Sequence, residues 1–303
     1  MSPEDFDYMR KFLRERSGLT LSTEKQYLLD TRLAPLIRAR GFETMGHLIR
    51  AVRADPQSDL ATLVTEAMTT NESLFFRDKV PFENFRNVIM PALRGARAAA
   101  KRLRIWCAAC SAGQEPYSLA IAIKEHRLLP EGWSVEIVAT DLSSAMLERA
   151  KEGVYTQFEV QRGLPIQLLV KYFTQHGDAW QILPELRAMV KFSRINLLEN
   201  LARLGRFDVI FCRNVLIYFD QPTKIDVLER LSRQIAPDGY LLLGAAETVI
   251  GLTDKFAPLA DQRGLYVPAQ PGPSPALRSA PASMASPPLA PTAARPFKTV
   301  TTV

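Results

Sequence analysis

The stretch LRIWCAACSAGQEPYSLAIAIKEHRLLPEGWSVEIVATD, Leu103 to Asp141, decides the fold. Leu103, Ile105 and Trp106 open a short apolar run rich in strand formers, and small residues then make a loop. A helical period follows from Pro116, a residue tolerated at the first helical position because the N–H there has no partner anyway. Leu119, Ile121 and Ile123 give that helix an apolar surface for a sheet. A second strand is expected from Val135 to Ala139, stopping at Thr140 and Asp141. Strand, loop, helix and strand in this order make a buried parallel unit with a crossover helix. A carboxylate closing the second strand stands where doubly wound nucleotide-binding folds accept hydrogen bonds from ribose hydroxyls.

The loop carries one glycine, Gly113, where a dinucleotide-binding turn shows three, so pyrophosphate is a poor fit. That points to an adenosyl ligand without phosphates, of which S-adenosylmethionine is the commonest. An ordinary α/β core unit with no ligand is the other reading of the same pattern.

Outward from this unit, 303 residues suit two domains, and 47% apolar with 23% charged residues describe a chain able to bury a sizeable core. The first residues, MSPEDFDYMRK, place acids where a secretory signal has a basic end and an apolar stretch. No apolar run approaches the roughly 18 residues of a bilayer helix, so the expectation is a cytoplasmic protein without membrane insertion. Cys107, Cys110 and Cys212 fall in strands or strand-end loops, which excludes a disulfide framework. Cys107 and Cys110 form a CxxC with no second pair and no nearby histidine, and are read as packing beneath the loop. His47, His126 and His176 belong to no motif. No metal site is expected. The net charge of +6 is spread along the chain; with no basic run interleaved with aromatics no nucleic-acid partner is expected, an acidic protein helix could meet the charge as readily, and charge alone does not choose between them.

From Ser2 to about Arg86 the apolar residues recur at helical spacing: Phe6, Met9, Phe12 and Leu13; Leu28, Leu29, Leu33, Leu36 and Ile37; Leu48, Ile49 and Val52; Leu60, Leu63 and Val64. Gly41 and Asp55-Pro56 punctuate them. The polar side of the second helix carries Arg32, Arg38 and Arg40, a pattern that a plain solvated face also explains. Past the central unit, Trp180 to Leu183 and Met189 to Phe192 suggest two short strands joined by a turn at Pro184 and Glu185. Phe207 to Cys212 reads as a buried strand ending in Arg213 and Asn214. Tyr218 follows, then Asp220 as the cap of another helix. Gly239 to Gly244 and Gly264 to Val267 supply the last strands, expected antiparallel. Nine prolines among Ala and Ser from Pro268 onward predict a disordered tail.

Four motifs in order, TNESLFFRD (Thr70 to Asp78), CSAGQEPYS (Cys110 to Ser118), ATDLS (Ala139 to Ser143) and FCRNVLIYFD (Phe211 to Asp220), resemble those of the CheR family of chemotaxis-receptor glutamate methyltransferases. The resemblance covers about Phe6 to Val267. It implies an all-α N-terminal domain and linker (1–86) and a Rossmann-like S-adenosylmethionine-dependent methyltransferase domain (87–267). Inside the latter it implies a small antiparallel β-subdomain at about 172–195, with the tail at 268–303. It further implies S-adenosyl-L-methionine as cofactor, S-adenosyl-L-homocysteine as product, and the cytoplasmic domain of a methyl-accepting receptor as partner. A monomer is expected. By the same resemblance, Asn71, Ser73 and Arg77 reach the cofactor, with Arg77 on its carboxylate. Glu115 lies near the sulfonium or amino group, Asp141 takes the ribose hydroxyls, Asn196 and Leu197 flank the adenine, and Arg213 and Asn214 complete the site. The chemistry itself, an ionised carboxylate that must be aimed at a methyl group, makes Tyr218 the candidate to orient the acceptor through its hydroxyl, helped by one arginine among Arg94, Arg97 and Arg104. By the resemblance, Arg32 and Arg38 meet the acidic receptor helices. Relatives that grip a receptor pentapeptide have a longer, glycine-rich loop than the TQHGDA found here, so independence of the pentapeptide is expected. A methyltransferase acting on RNA or another protein, and a non-catalytic binding module, are the other classes.

Overall fold

The computed structural model describes residues 1–269. The tail expected to be disordered lies, from Gln270 on, outside the described residues. The helices of the first segment are α1 (Pro3–Ser17), α2 (Gln26–Arg40), α3 (Met45–Ala54) and α4 (Asp59–Ala67). Side-chain caps explain three of the starts: Ser2, Thr44 and Ser58 each accept an N–H from the first turn of α1, α3 and α4. Gly18 and Gly41 end α1 and α2 in the left-handed conformation. Their apolar stripes meet in a core of Phe6, Met9, Leu13, Leu29, Leu33 and Leu48, all buried.

The segment Thr69–Asp78 has no regular helix, and α5 (Val80–Asn84) and α6 (Met90–Ala96) follow it, joined by a wide π turn at Phe85–Ile89. Phe75 fixes this crossing to the second domain. Its ring is fully buried, 4.9 Å from Tyr155 and 5.6 Å from Phe173, both edge-on. The backbone there runs so close to Gly163 that a Cβ on that glycine would stand 2.1 Å from Phe75 O. No other residue fits without moving the linker.

The strands are β1 (Arg102–Ala108), β2 (Ser134–Asp141), β3 (Val154–Thr156), β4 (Phe173–His176), β5 (Ala179–Ile182), β6 (Val190–Arg194), β7 (Phe207–Cys212), β8 (Ile235–Leu243), β9 (Phe256–Pro258) and β10 (Leu265–Pro268). Seven form one sheet in the order β6-β2-β1-β7-β8-β10-β9. The first five of these neighbours pair in parallel, while β10 runs antiparallel to β8 and β9 to β10, as the sequence led us to expect of the late strands. Alternate residues of β1 face opposite layers: Ile105 and Cys107 join one core, with α7 (Gln114–Glu125), and Trp106 and Ala108 join the other, with α12 (Gln221–Gln234). The helices between are α8 (Ser144–Glu152), α9 (Gln157–Gln161), α10 (Ile166–Tyr172) and α11 (Pro184–Arg187). Among the described residues no helix is long and apolar enough to cross a membrane.

Two local readings are corrected. Helix α7 begins at Gln114, two residues before Pro116, with Gly113 preceding it at φ 91°. Pro116 is still among the first four residues, whose N–H groups have no intrahelical acceptor. Of the two strands expected in the small antiparallel sheet, the one at 180–183 is present as β5, while the one at 189–192 is not part of it. Its order is β3-β5-β4, so its strands lie at 154–156, 173–176 and 179–182. Pro184 and Glu185 start a short helix, and β6 at 190–194 leaves this sheet to pair in parallel with β2, Ile137 opposite Val190. Alternating apolar residues cannot say which of two sheets a strand joins.

Candidate active site

The carboxyl ends of the parallel strands share one edge, because Cys107 stands level with Ala139 and Phe211, and Ala139 with Phe192. A cleft of about 1000 Å³ opens along that edge. Asn71, Ser73, Arg77, Glu115, Asp141, Asn196, Leu197, Arg213, Asn214 and Tyr218 all line it, although they come from five separate parts of the chain. Ligands of open α/β sheets collect at this edge.

The loop after β1 owes its shape to backbone conformations that most residues avoid. Ala109, Ser111 and Gly113 have φ of 60°, 51° and 91°. A Cβ on Gly113 would sit 3.0 Å from the Ala150 side chain and 3.1 Å from the Tyr117 ring, so the glycine serves close packing as well as the turn. Tying the loop down, Ser111 N–H donates to Asp141 Oδ2 at 2.8 Å, Ser111 Oγ donates to Asn71 O at 2.8 Å, and Tyr155 Oη donates to Ala112 O at 2.8 Å.

Asp141 also accepts Ser143 N–H on its other oxygen at 2.9 Å. The cap of α8 is Ser143 itself, which accepts from Met146 N–H, so Asp141 orders the turn before the helix and does not cap it. Burial pushes the Asp141 carboxyl above its ordinary value, against the lowering effect of the Ser143 and Ser111 N–H groups. Glu115, likewise buried, is pushed up by burial and held back by Arg213, whose Nη1 donates to its Oε2 at 2.8 Å. The Arg213 side chain is 1% exposed, and its Nη2 donates to Arg77 O and to Asp78 Oδ2, each at 2.8 Å. Its Nε is buried with no hydrogen-bond partner. Glu115 therefore offers a charge already shared with a guanidinium.

Arg77 is half-buried, donates to Glu72 O at 3.1 Å, and leaves the rest of its fork on the cleft. Asn196 is drawn toward the helical segment, its Nδ2 donating to Arg16 O at 2.6 Å. Tyr218 ends a short 3-10 turn at Leu216–Tyr218, and its carbonyl accepts Thr20 N–H at 2.9 Å. Asp220 accepts from Thr223 N–H and caps α12 as expected.

None of the three arginines expected to assist Tyr218 lines the cleft. Arg97 pairs with Asp208 at 2.7 Å and Asp238 at 2.6 Å, and Arg104 with Glu136 at 2.8 Å, both at the amino ends of strands, while Arg94 borders a separate depression with Trp133. The guanidiniums of the cleft are Arg77 and Arg213. Of the expected receptor contacts, Arg38 is exposed, but Arg32 is half-buried and donates to Met68 O at 2.6 Å and Thr70 Oγ1 at 2.9 Å. It ties α2 to the end of α4.

Sequence reading passed over one carboxylate that shapes the site. Glu247, 9% exposed, accepts Gly244, Asn214, Val215 and Ile217 N–H at 2.7, 2.8, 2.9 and 3.3 Å. Asn214 is held there at φ 59°. Ser17 and Leu19, from the end of α1 and just after it, were missed as well, and both line the cleft. A Gly-Ala-Ala-Glu run straight after a buried strand was the signal for Glu247; nothing local marks the other two.

Residues 71–265 match the family described as "CheR methyltransferase, SAM binding domain", and residues 4–69 match "CheR methyltransferase, all-alpha domain". The chain belongs to the CheR methyltransferase family. Among its relatives, "Chemotaxis protein methyltransferase 1" of Pseudomonas aeruginosa is 44% identical over 256 residues, covering 83% of this chain and 93% of that protein. "Chemotaxis protein methyltransferase Cher2" of Pseudomonas putida is 43% identical over the same shares. The "Chemotaxis protein methyltransferase" of Salmonella typhimurium is 34% identical over 85% of this chain and 88% of its own. The protein is thus a CheR-type methyltransferase with S-adenosyl-L-methionine as cofactor. The cleft's donor set fits that molecule. Acids Glu72, Glu115 and Asp141 outnumber guanidiniums Arg77 and Arg213 by one along the cleft, which suits a cation. Leu142, Ile195 and Leu197 supply an apolar wall for a base.

Proposed function

We propose that this chain methylates glutamate side chains on the cytoplasmic helices of a chemoreceptor, forming glutamyl methyl esters, and that it works in the cytoplasm as a monomer. One observation carries the reading: the cleft joins acids, two guanidiniums and a phenol, and among the described residues that line it there is no histidine, lysine or cysteine. The accepting reaction needs no general base, because a glutamate of reference pKa near 4.3 is already ionised at neutral pH. Bound S-adenosyl-L-methionine supplies an activated methyl group. The work of the protein is then apposition, which alone can remove a large part of such a barrier.

In this reading Asp141 accepts the ribose hydroxyls, and its two N–H donors keep the carboxylate aimed. Arg77 holds the cofactor's carboxylate with a guanidinium fork. Glu115, steadied by Arg213, faces the cationic part, while Asn71, Ser73 and Asn214 give polar contacts, and Asn196 and Leu197 border the adenine. Tyr218 orients the receptor carboxylate through its hydroxyl. Exposed Arg38 is the better placed of the two arginines to meet an acidic receptor helix. The hairpin β4–β5 closes through Gly177 and Asp178 alone, too tight a turn to grip a tethering pentapeptide, so the protein acts without one.

The test is incubation with methyl-labelled cofactor and candidate receptor cytoplasmic domains. Label should enter the receptor and leave as methanol in mild base. Base-stable label, or label on nucleic acid, would sink the glutamate assignment. Tight binding of an isolated receptor-tail peptide in calorimetry would remove the pentapeptide-independent part.

A further inference from the structure

A second groove, of about 1040 Å³, runs beside the cofactor cleft between the segment Asp78–Pro81 and the loop Leu243–Thr248, with Arg263 on its border. The two depressions share a wall. Asp78 accepts from Arg213 on the groove side of the wall, and Glu247 accepts from Asn214 and Val215, which line the cleft.

Three large apolar side chains stand in water around this groove: Val80 at 48% exposure, Ile217 at 42% and Ile250 at 69%. Val80 lines it directly. Ile250 N–H donates to Thr248 Oγ1 at 3.1 Å, and Ile217 N–H donates to Glu247 Oε1 at 3.3 Å, so each is fastened to a residue of the groove. Singly, such residues are ordinary on a soluble surface; gathered round one depression beside a reaction cleft they mark a place for a partner. Arg263 is exposed, and its only hydrogen bond among the described residues is to Ala245 O at 3.3 Å.

We propose that this groove seats the methyl-accepting polypeptide itself, as an amphipathic helix whose apolar seam covers Val80, Ile217 and Ile250 and whose adjacent acidic side chain meets Arg263. The inference rests on the proposed function and deepens it. Its occupant follows from continuity: Tyr218 lines the cleft, and the N–H of Ile217 beside it is held by Glu247, a residue of the groove, so a chain presenting a carboxylate at Tyr218 arrives next to the groove. A helix about 10 Å across is wide enough to lie over the border between the two depressions. Apolar residues on one face of a helix laid into a groove are a common mode of recognition, and a helix rich in glutamate supplies a counter-charge for Arg263, which has no carboxylate partner among the described residues.

The test uses the full chain, labelled cofactor and the receptor cytoplasmic domain. Val80→Glu and Ile250→Glu should each raise KM for the receptor about tenfold, the scale of losing one interface anchor, with kcat and the Kd for S-adenosylhomocysteine unchanged. Arg263→Glu should raise KM as well. Val170→Glu, on an equally exposed apolar residue of α10, should change neither constant. Should a glutamate variant fail to bind the thioether, the serine variants at the same positions give the KM reading. Normal labelling with unchanged KM in the Val80 and Ile250 variants would overturn the groove alone. A wild-type protein that labels no receptor would overturn the functional reading and this one together.

Discussion

Tyr218 stands half-buried in the cleft wall, its hydroxyl the one phenol of the site. On the proposed reading, replacing it by Phe removes one hydrogen bond to an ionised acceptor and nothing from the cofactor's contacts. The expected result is a fall in kcat of about tenfold, the worth of about 1.5 kcal/mol for a bond to a charged group, with the Kd for S-adenosylhomocysteine unmoved. Steady-state kinetics beside calorimetry reads both, and unchanged turnover would remove Tyr218 from the mechanism. Glu247 acts at one remove, as a positioning residue. Glu247→Ala strands four backbone donors, each costing on the order of 1 kcal/mol where water cannot reach it, and frees the turn that carries Asn214 and Tyr218. Both a lower Tm and a lower kcat should follow, and Glu247→Gln, which keeps one acceptor oxygen, should restore part of the kcat.

The acids of the cleft also predict a pH dependence. Burial raises the Asp141 and Glu115 carboxyls above their ordinary 3.8 and 4.5, so in the folded protein they take up protons at a pH where free carboxylates have not. A cationic ligand favours their ionised forms. Affinity for S-adenosylmethionine should therefore be full at neutral pH and fall as pH drops, beginning at a higher pH than solvent-exposed carboxylates would give. Calorimetry across that range, with circular dichroism to confirm folding, checks it; affinity independent of pH would mean neither carboxylate faces the cation.

At the scale of elements, the parts legible in the sequence were those whose chemistry is local. The strand β1, its loop and the acid ending β2 carry a period, a glycine and a carboxylate in one run of chain, and the cleft lies there. The helical stripes of α1 to α4 declared themselves by spacing alone. What failed was the assignment of β6: Val190 and Phe192 alternate as any half-buried strand does, and only the partner β2 tells that they extend the large sheet. The arginines failed for a related reason. Arg97 and Arg104 sit close in sequence to the cleft loop, yet β1 is seven residues long and Arg104 lies near its far end.

There Arg104 has a different task. With Lys191 and Arg102 it surrounds Glu136 on β2, and these partners, Arg104 foremost, hold that carboxyl down at about 2. For a depressed acid the stabilisation is complete above its unfolded value near 4.5 and is lost as pH falls toward 2. Glu136→Gln should lower Tm at pH 7, and the loss should shrink steadily below pH 4.5 and nearly vanish at or below pH 2, a trend that scanning calorimetry across that range resolves.

Across the whole described molecule, the helical bundle and the sheet domain meet around the cleft. Arg14 pairs with Asp220 at 2.7 Å over the start of α12, and Glu66 accepts Ser144 N–H at 3.0 Å at the start of α8. Thr20 N–H reaches Tyr218 O, and Asn196 reaches Arg16 O. The exposed ion pair adds little alone, but every one of these ties lands within a few residues of a cleft-lining position. None could be read from the sequence, because each joins segments more than 70 residues apart.

Leu19 forms a lone antiparallel bridge with Phe219, next door to the phenol of Tyr218. Two residues of bundle backbone are thereby stitched to the rim of the reaction chamber like the hinge pin of a door. Prising the halves apart would tear the wall that the ligand leans on, so a molecule that fills the chamber should weld them thermodynamically. Adding S-adenosylhomocysteine should shift bundle and sheet upward together in a single melting transition, as the unfolding free energy grows by RT ln(1 + [L]/Kd).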